Sequence, residues 1–148
     1  LKGCYAEYCV ANENYCYHLP SNIDDLQVAP LLCAGLIGYR AYMKTSSAHR
    51  IGFYGFGSSA HILTQIASHE KKEIYAFTRP GDREGQEFAK SLGAVWAGGS
   101  DESPPFTLDA AIIFAPVGDL MITALKHIRK GGIVISAGIH MTKIPSFS

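Results

Sequence analysis

The run Arg50-Ile-Gly-Phe-Tyr-Gly-Phe-Gly-Ser-Ser-Ala-His61 carries the pattern that decides the fold. Ile51 to Tyr54 is a short apolar run of the kind that forms a buried strand. Gly55-Phe-Gly57-Ser-Ser-Ala60 follows as a glycine turn, and the stretch from Ala60 to Ser68 reads as a helix. A glycine pair by itself marks many turns, and a tight strand–helix turn without a ligand is the plainer alternative. A G-x-G-x-x-A that closes a strand and opens a helix is the context in which the pattern cradles a pyrophosphate. Gly55 permits the sharp turn, Gly57 lets the backbone approach with no Cβ in the way, and Ala60 lets helix and sheet pack closely. The helix start offers free N–H groups and the positive end of the helix dipole to phosphate oxygens. Gly55, Phe56, Gly57, Ser58, Ser59 and Ala60 are therefore candidate cofactor-binding residues.

Downstream, strand and helix patterns alternate. Ile74 to Phe77 reads as a strand, and Arg83 to Leu92 as a helix stopped by Gly93. Val95 to Ala97 is a third strand, 98–105 a loop of turn-formers, and Ala110 to Phe114 a fourth strand. Leu120 to Arg129 is a helix, and Ile133 to Ala137 a fifth strand. Strands apolar on both faces, alternating with helices, call for a parallel sheet covered on both sides: an α/β, doubly wound fold of the Rossmann type. Such a sheet normally reaches a sixth strand, and only 142–148 follow the fifth, so the last strand is expected to be lacking. Upstream, 4–10 and 15–18 read as short strands. Ser21 and Asn22 offer an N-cap, and Ala29 to Met43 is a helix with Leu32, Leu36 and Tyr39 at helical spacing.

The end of the second strand reads Ile74-Tyr-Ala-Phe-Thr-Arg-Pro80. In this fold an acidic residue there accepts hydrogen bonds from the adenosine ribose and repels a 2′-phosphate. Here Thr78 takes the acidic position and Arg79 follows. A hydroxyl and a guanidinium fork suit a dianionic phosphate, so NADP(H) is expected over NAD(H). Asp82 reads as the N-cap of the next helix. The loops after the fourth and fifth strands, Ala115-Pro116-Val117 and Ala137-Gly138-Ile139, belong at the carboxyl ends of the strands. They are candidate cofactor contacts, although their apolar character suits plain core equally well.

Composition narrows the partners. Thirteen basic and thirteen acidic residues cancel in 148, with no block of either sign, which argues against a nucleic-acid surface. No apolar run reaches the length of a membrane span. Cys4, Cys9, Cys16 and Cys33 contain no C-x-x-C pair, and with no secretory signal visible they are expected as reduced thiols in the cytoplasm.

Several stretches resemble the zinc-dependent, medium-chain alcohol dehydrogenase family: Tyr5-Ala-Glu-Tyr8, Ala29-Pro-Leu-Leu-Cys-Ala-Gly35 with Tyr39, the glycine loop, Ser91-Leu-Gly-Ala94, and Gly131-Gly-Ile-Val134 before Ala137-Gly138. The resemblance implies a two-domain subunit, with 1–28 as the partial C-terminal edge of a GroES-like catalytic domain and 29–148 as a partial dinucleotide domain. It implies hydride transfer between NADP(H) and an alcohol, aldehyde or ketone at a catalytic zinc, and a homodimer or homotetramer. Cys33, in Leu-Cys-Ala-Gly, matches one of the family's zinc ligands, whereas read without the resemblance it is a packing thiol on an apolar helix. The other ligands fall upstream of this chain in the family, and His69-Glu70 reads as a solvated helix end. His49, His61 and His127 read as packing or capping residues, with His140 nearest the expected nicotinamide. Two other readings stay open: a zinc-free NADPH-dependent quinone or enoyl reductase relative, which Cys33 argues against, and a non-catalytic NADPH-binding module.

Overall fold

The computed structural model describes residues 5–147. Five strands form one parallel sheet: β1 (Arg50–Tyr54), β2 (Glu73–Thr78), β3 (Trp96–Gly99), β4 (Leu108–Ile113) and β5 (Ile128–Ser136). Their order is β3-β2-β1-β4-β5. Ile51 pairs with Ile74 on one side and Ala110 on the other, and Tyr54 with Phe77 and Ile113. Chain order reverses across β1, so the crevice at the carboxyl ends of β1 and β4 is the switch point where such sheets bind ligands.

The strand residues alternate between two cores, as the period of two demands, except at the irregularity between Leu108 and Ala110, which sends those two to opposite faces. Ile51, Phe53, Ile74, Ala76, Ala110 and Ile112 face one cluster. There they meet Ala41 and Tyr42 of α2 (Ala34–Tyr42), Ala60, Leu63 and Ala67 of α3 (Ser58–His69), and Ala89 of α4 (Arg83–Ser91). Tyr54, Tyr75, Phe77, Leu108, Ala111 and Ile113 face the other, closed by Ala124 of α5 (Asp119–His127). Every one of these side chains is 4% exposed or less. The apolar-on-both-faces pattern is thus spent on two helical layers.

Helices α2 and α3 lie side by side, which fixes where the start of α2 stands relative to the glycine loop. Gly38 allows the approach, since a Cβ there would lie 3.1 Å from Leu63 Cδ1. The Ser59 hydroxyl donates to the Ala34 carbonyl at 2.9 Å, and the Tyr42 hydroxyl donates to Glu70 Oε2 at 2.6 Å. Glu70, expected as a solvated helix end, therefore anchors one helix to the other.

At the opposite end of the sheet, Asp109 accepts the backbone N–H groups of His49 and Arg50, each at 2.9 Å. It also accepts Nε of Arg129 at 2.8 Å. The backbone donor of Arg50, with Arg129 and His49 behind it, holds this carboxyl down at about 2 despite partial desolvation.

The N-terminal expectations require correction. Cys4 lies outside the described residues, and 5–10 and 15–18 form no strand. Among the described residues before Asp25 there is one 3-10 turn, Glu13–Tyr15, with the Asn12 side chain accepting the Asn14 N–H at 3.0 Å. Tyr5, Tyr8, Val10, Tyr15 and Tyr17 are all exposed. Their β-forming character has no neighbouring strand to pair with, and pairing is what makes a strand. The cap before α1 (Asp25–Val28) is Asp24, accepting the Leu26 N–H at 2.8 Å, rather than Ser21 or Asn22. The helix expected over 29–43 is broken: a 3-10 turn, Ala29–Leu32, built on Pro30, precedes Cys33 at φ −121°, ψ −74°, and α2 starts after it.

Candidate cofactor cleft

An open cleft of about 1330 Å³ lies over the carboxyl ends of the central strands. The glycine loop forms its floor, Thr78 to Pro80 one end, and Ala115-Pro116-Val117 with Ala137-Gly138-Ile139 a wall. Cys33 and the exposed face of α2 form the opposite rim. The sequence-selected residues therefore converge, with one exception: Ala60 is wholly buried beneath the cleft and packs helix to sheet.

The two glycines of the loop are glycines for different reasons. Gly55 has φ +93°, and a Cβ there would sit 2.8 Å from both Cβ and N of Ala115. The fold itself needs that glycine. Gly57 has φ −100° and ψ −163°, extended backbone open to any residue, and nothing lies within 4 Å of where its Cβ would be. The protein supplies no reason for a glycine at 57, whereas a molecule resting in the cleft would. Directly after it α3 begins without a side-chain cap, the Ser59 hydroxyl being engaged with Ala34. Its first N–H groups are the ones a helix cannot satisfy internally.

At the far end, Thr78 is 4% exposed and its hydroxyl is engaged within the fold. It donates to the Arg79 carbonyl at 3.1 Å, with the Gly98 carbonyl at 3.4 Å, and accepts from Gln86 Nε2 at 3.2 Å. Arg79 is exposed on the cleft and makes no ion pair among the described residues. Asp82 caps α4 as expected, accepting the Gly85 N–H at 2.9 Å.

Several lining residues escaped the sequence reading. Leu36, Ile37 and Arg40 of α2 border the cleft with Cys33, as does Ser100 after β3. The spacing of three, four and seven from Cys33 puts the α2 residues on one helical face, a signal that could have found them.

Cys33 is exposed on the rim, and Cys9 and Cys16 are likewise free. Among the described residues no three His, Cys, Asp or Glu side chains come together to hold a metal. His140 lines the cleft, whereas His61 meets the Phe88 ring edge-on at 5.0 Å. His127 Nδ1 lies 2.9 Å from the Tyr54 hydroxyl on the other face of the sheet. Burial lowers the His127 pKa and raises that of Tyr54, so both stay neutral near pH 7.

No protein-family model matches the chain. A curated relative, the probable alcohol dehydrogenase AdhA of Mycobacterium tuberculosis (strain CDC 1551 / Oshkosh), is 47% identical over 148 residues, covering 99% of this chain and 42% of that protein. The chain thus spans less than half of that relative's length. Among solved structures, an acetophenone reductase from Geotrichum candidum in complex with NAD superimposes with a TM-score of 0.75 at 21% identity, over 86% of this chain and 38% of that one. The CAD protein of Helicobacter pylori complexed with NADP(H) gives 0.68 at 25% identity, over 80% of this chain and 34% of that one. Along nearly its whole length, then, the chain is similar to an alcohol dehydrogenase, and its parallel five-stranded sheet with a glycine-loop cleft shares the fold of these dehydrogenase structures.

Proposed function

We propose that the chain is the cofactor-binding part of an oxidoreductase that passes hydride between NADP(H) and a small alcohol, aldehyde or ketone held at a catalytic zinc. The observation that carries the reading is Gly57: a glycine with no atom of the protein near its missing Cβ, standing before an uncapped twelve-residue helix. The bound dinucleotide supplies or accepts the hydride. The start of α3 holds its pyrophosphate through backbone N–H groups. Arg79 pairs with the 2′-phosphate, and the apolar loops after β4 and β5 keep water from the nicotinamide. The alcohol dehydrogenase name of the Mycobacterium relative supports the substrate class. The NAD and NADP(H) complexes among the structural matches support a nicotinamide dinucleotide without choosing between the two.

Zinc belongs to this proposal through Cys33 alone. A catalytic zinc takes three protein ligands; Cys33 lines the cleft, and among the described residues no three His, Cys, Asp or Glu side chains gather there, so further ligands are needed to complete the site. A cytoplasmic enzyme working as a homodimer or homotetramer completes the reading.

Titration with NADPH and NADH tests it. NADPH should bind more tightly, and Arg79→Ala should weaken NADPH by about 10- to 100-fold, the worth of a charge-assisted hydrogen-bond pair. NADH affinity should change little. Equal affinities in the unmodified protein, or a gap that Arg79→Ala leaves untouched, overturn the cofactor assignment.

A further inference from the structure

We propose that Gln86, on the second turn of α4, is a positioning residue for cofactor choice, and that Thr78 acts through the Arg79 backbone rather than by touching the 2′-phosphate. The inference rests on the NADP(H) reading above.

A threonine hydroxyl has one hydrogen to give, and a phosphate dianion can only accept. Gln86 Nε2 donates to Thr78 Oγ1 at 3.2 Å. That bond occupies a lone pair and leaves the hydroxyl hydrogen on the carbonyl side, toward the Arg79 oxygen at 3.1 Å or the Gly98 oxygen at 3.4 Å. Thr78 is also almost fully buried. It therefore has no free hydrogen for a phosphate, and what it does instead is hold the Arg79 peptide.

The rest of the turn is held in the same direction. Gly81 takes φ +79°, the Asp82 N–H donates to the Arg79 carbonyl at 3.1 Å, and the Asp82 carboxylate stays on Gly85. That bond keeps the carboxylate on the helix start, at a positive dipole end. The Gln86–Thr78–Arg79 chain thus links α4 to the one cation of this turn that faces the cleft. Arg79 arrives with its backbone already ordered, so less freedom is lost on binding.

The test is the ratio of NADPH to NADH dissociation constants, read by energy transfer from Trp96, the single tryptophan, whose ring lies 5.1 Å from that of the cleft residue Phe77. Gln86→Leu should weaken NADPH by about fivefold, the scale of one lost hydrogen bond, and leave NADH within about twofold. Gln86→Met, uncharged, of similar length and unable to donate to Thr78, should do the same, which covers the case in which the leucine variant folds poorly. Combining Gln86→Leu with Thr78→Val should cost no more than either alone, because both cut one chain of contacts. Equal weakening of both nucleotides, no change in the ratio, or an additive double variant overturns the proposal while NADP(H) preference stands. An unmodified protein without NADPH preference, insensitive to Arg79→Ala, overturns both.

Discussion

Gly55 and Gly57 sit two positions apart in one loop, yet they answer to different constraints. Gly55 combines a left-handed backbone with a Cβ path closed by Ala115, so Gly55→Ala should destabilise the fold by about 2–4 kcal/mol from backbone strain and overpacking together. Gly57→Ala meets no protein atom. It should leave the melting temperature where it is while weakening NADPH about tenfold or more, the result of a methyl group set against the pyrophosphate. Thermal melts alongside binding titrations separate the two effects, and a Gly57→Ala variant that loses stability instead of affinity contradicts the assignment. Both glycines were legible in the sequence because the motif states its own spacing. Thr78 was legible only in part. Its position at the end of β2 could be read, but the partners that engage its hydroxyl, Gln86 and the carbonyl of Gly98, are eight and twenty residues away and meet it only in the folded chain.

Strands announce themselves where both faces are apolar, and all five sheet strands from β1 onward fell where that pattern placed them, within a few residues. The widest misplacement is at β5, which begins at Ile128 where the sequence suggested helix. Its pairing with β4 shifts register between Leu108 and Ala110, and Gly131 takes φ +78°. No local pattern encodes a bulge whose cause is the neighbouring strand. The N-terminal tyrosine-rich stretches show the converse, β propensity without a partner. Asp109 ties the starts of β1 and β4 to β5, and its folded pKa of about 2 lies below the ordinary carboxylate value near 4. Its contribution is therefore complete above about pH 5 and is lost as the pH falls from about 4 to about 2. The side chain is a quarter exposed, and solvent screening reduces the effect to about 1–2 kcal/mol. Asp109→Ala should thus lower stability at neutral pH by that amount and flatten acid unfolding in that window. Acid-unfolding profiles that coincide for the two proteins would contradict this role.

At the largest scale the described residues form a sheet with a core on each face and an open cleft at its switch point. No helix among the described residues is long and apolar enough to cross a membrane. Pattern and period specified this architecture because each βα unit is read locally and the parallel order follows from the alternation. The α2 wall of the cleft was harder to see. Its face becomes a wall only because Gly38 and the Ser59 and Tyr42 hydrogen bonds press α2 against α3. Cleft, loop and cation make one claim, that a dinucleotide lies across the carboxyl ends of β1 and β4 with its 2′-phosphate at Arg79. A crystal structure of the protein grown with NADP+ tests it most directly. Pyrophosphate density is expected over Gly57 and the N–H groups of Ser58 and Ser59, with the 2′-phosphate within hydrogen-bonding distance of the Arg79 guanidinium. Density for the nucleotide elsewhere, or a 2′-phosphate turned away from Arg79, would contradict it.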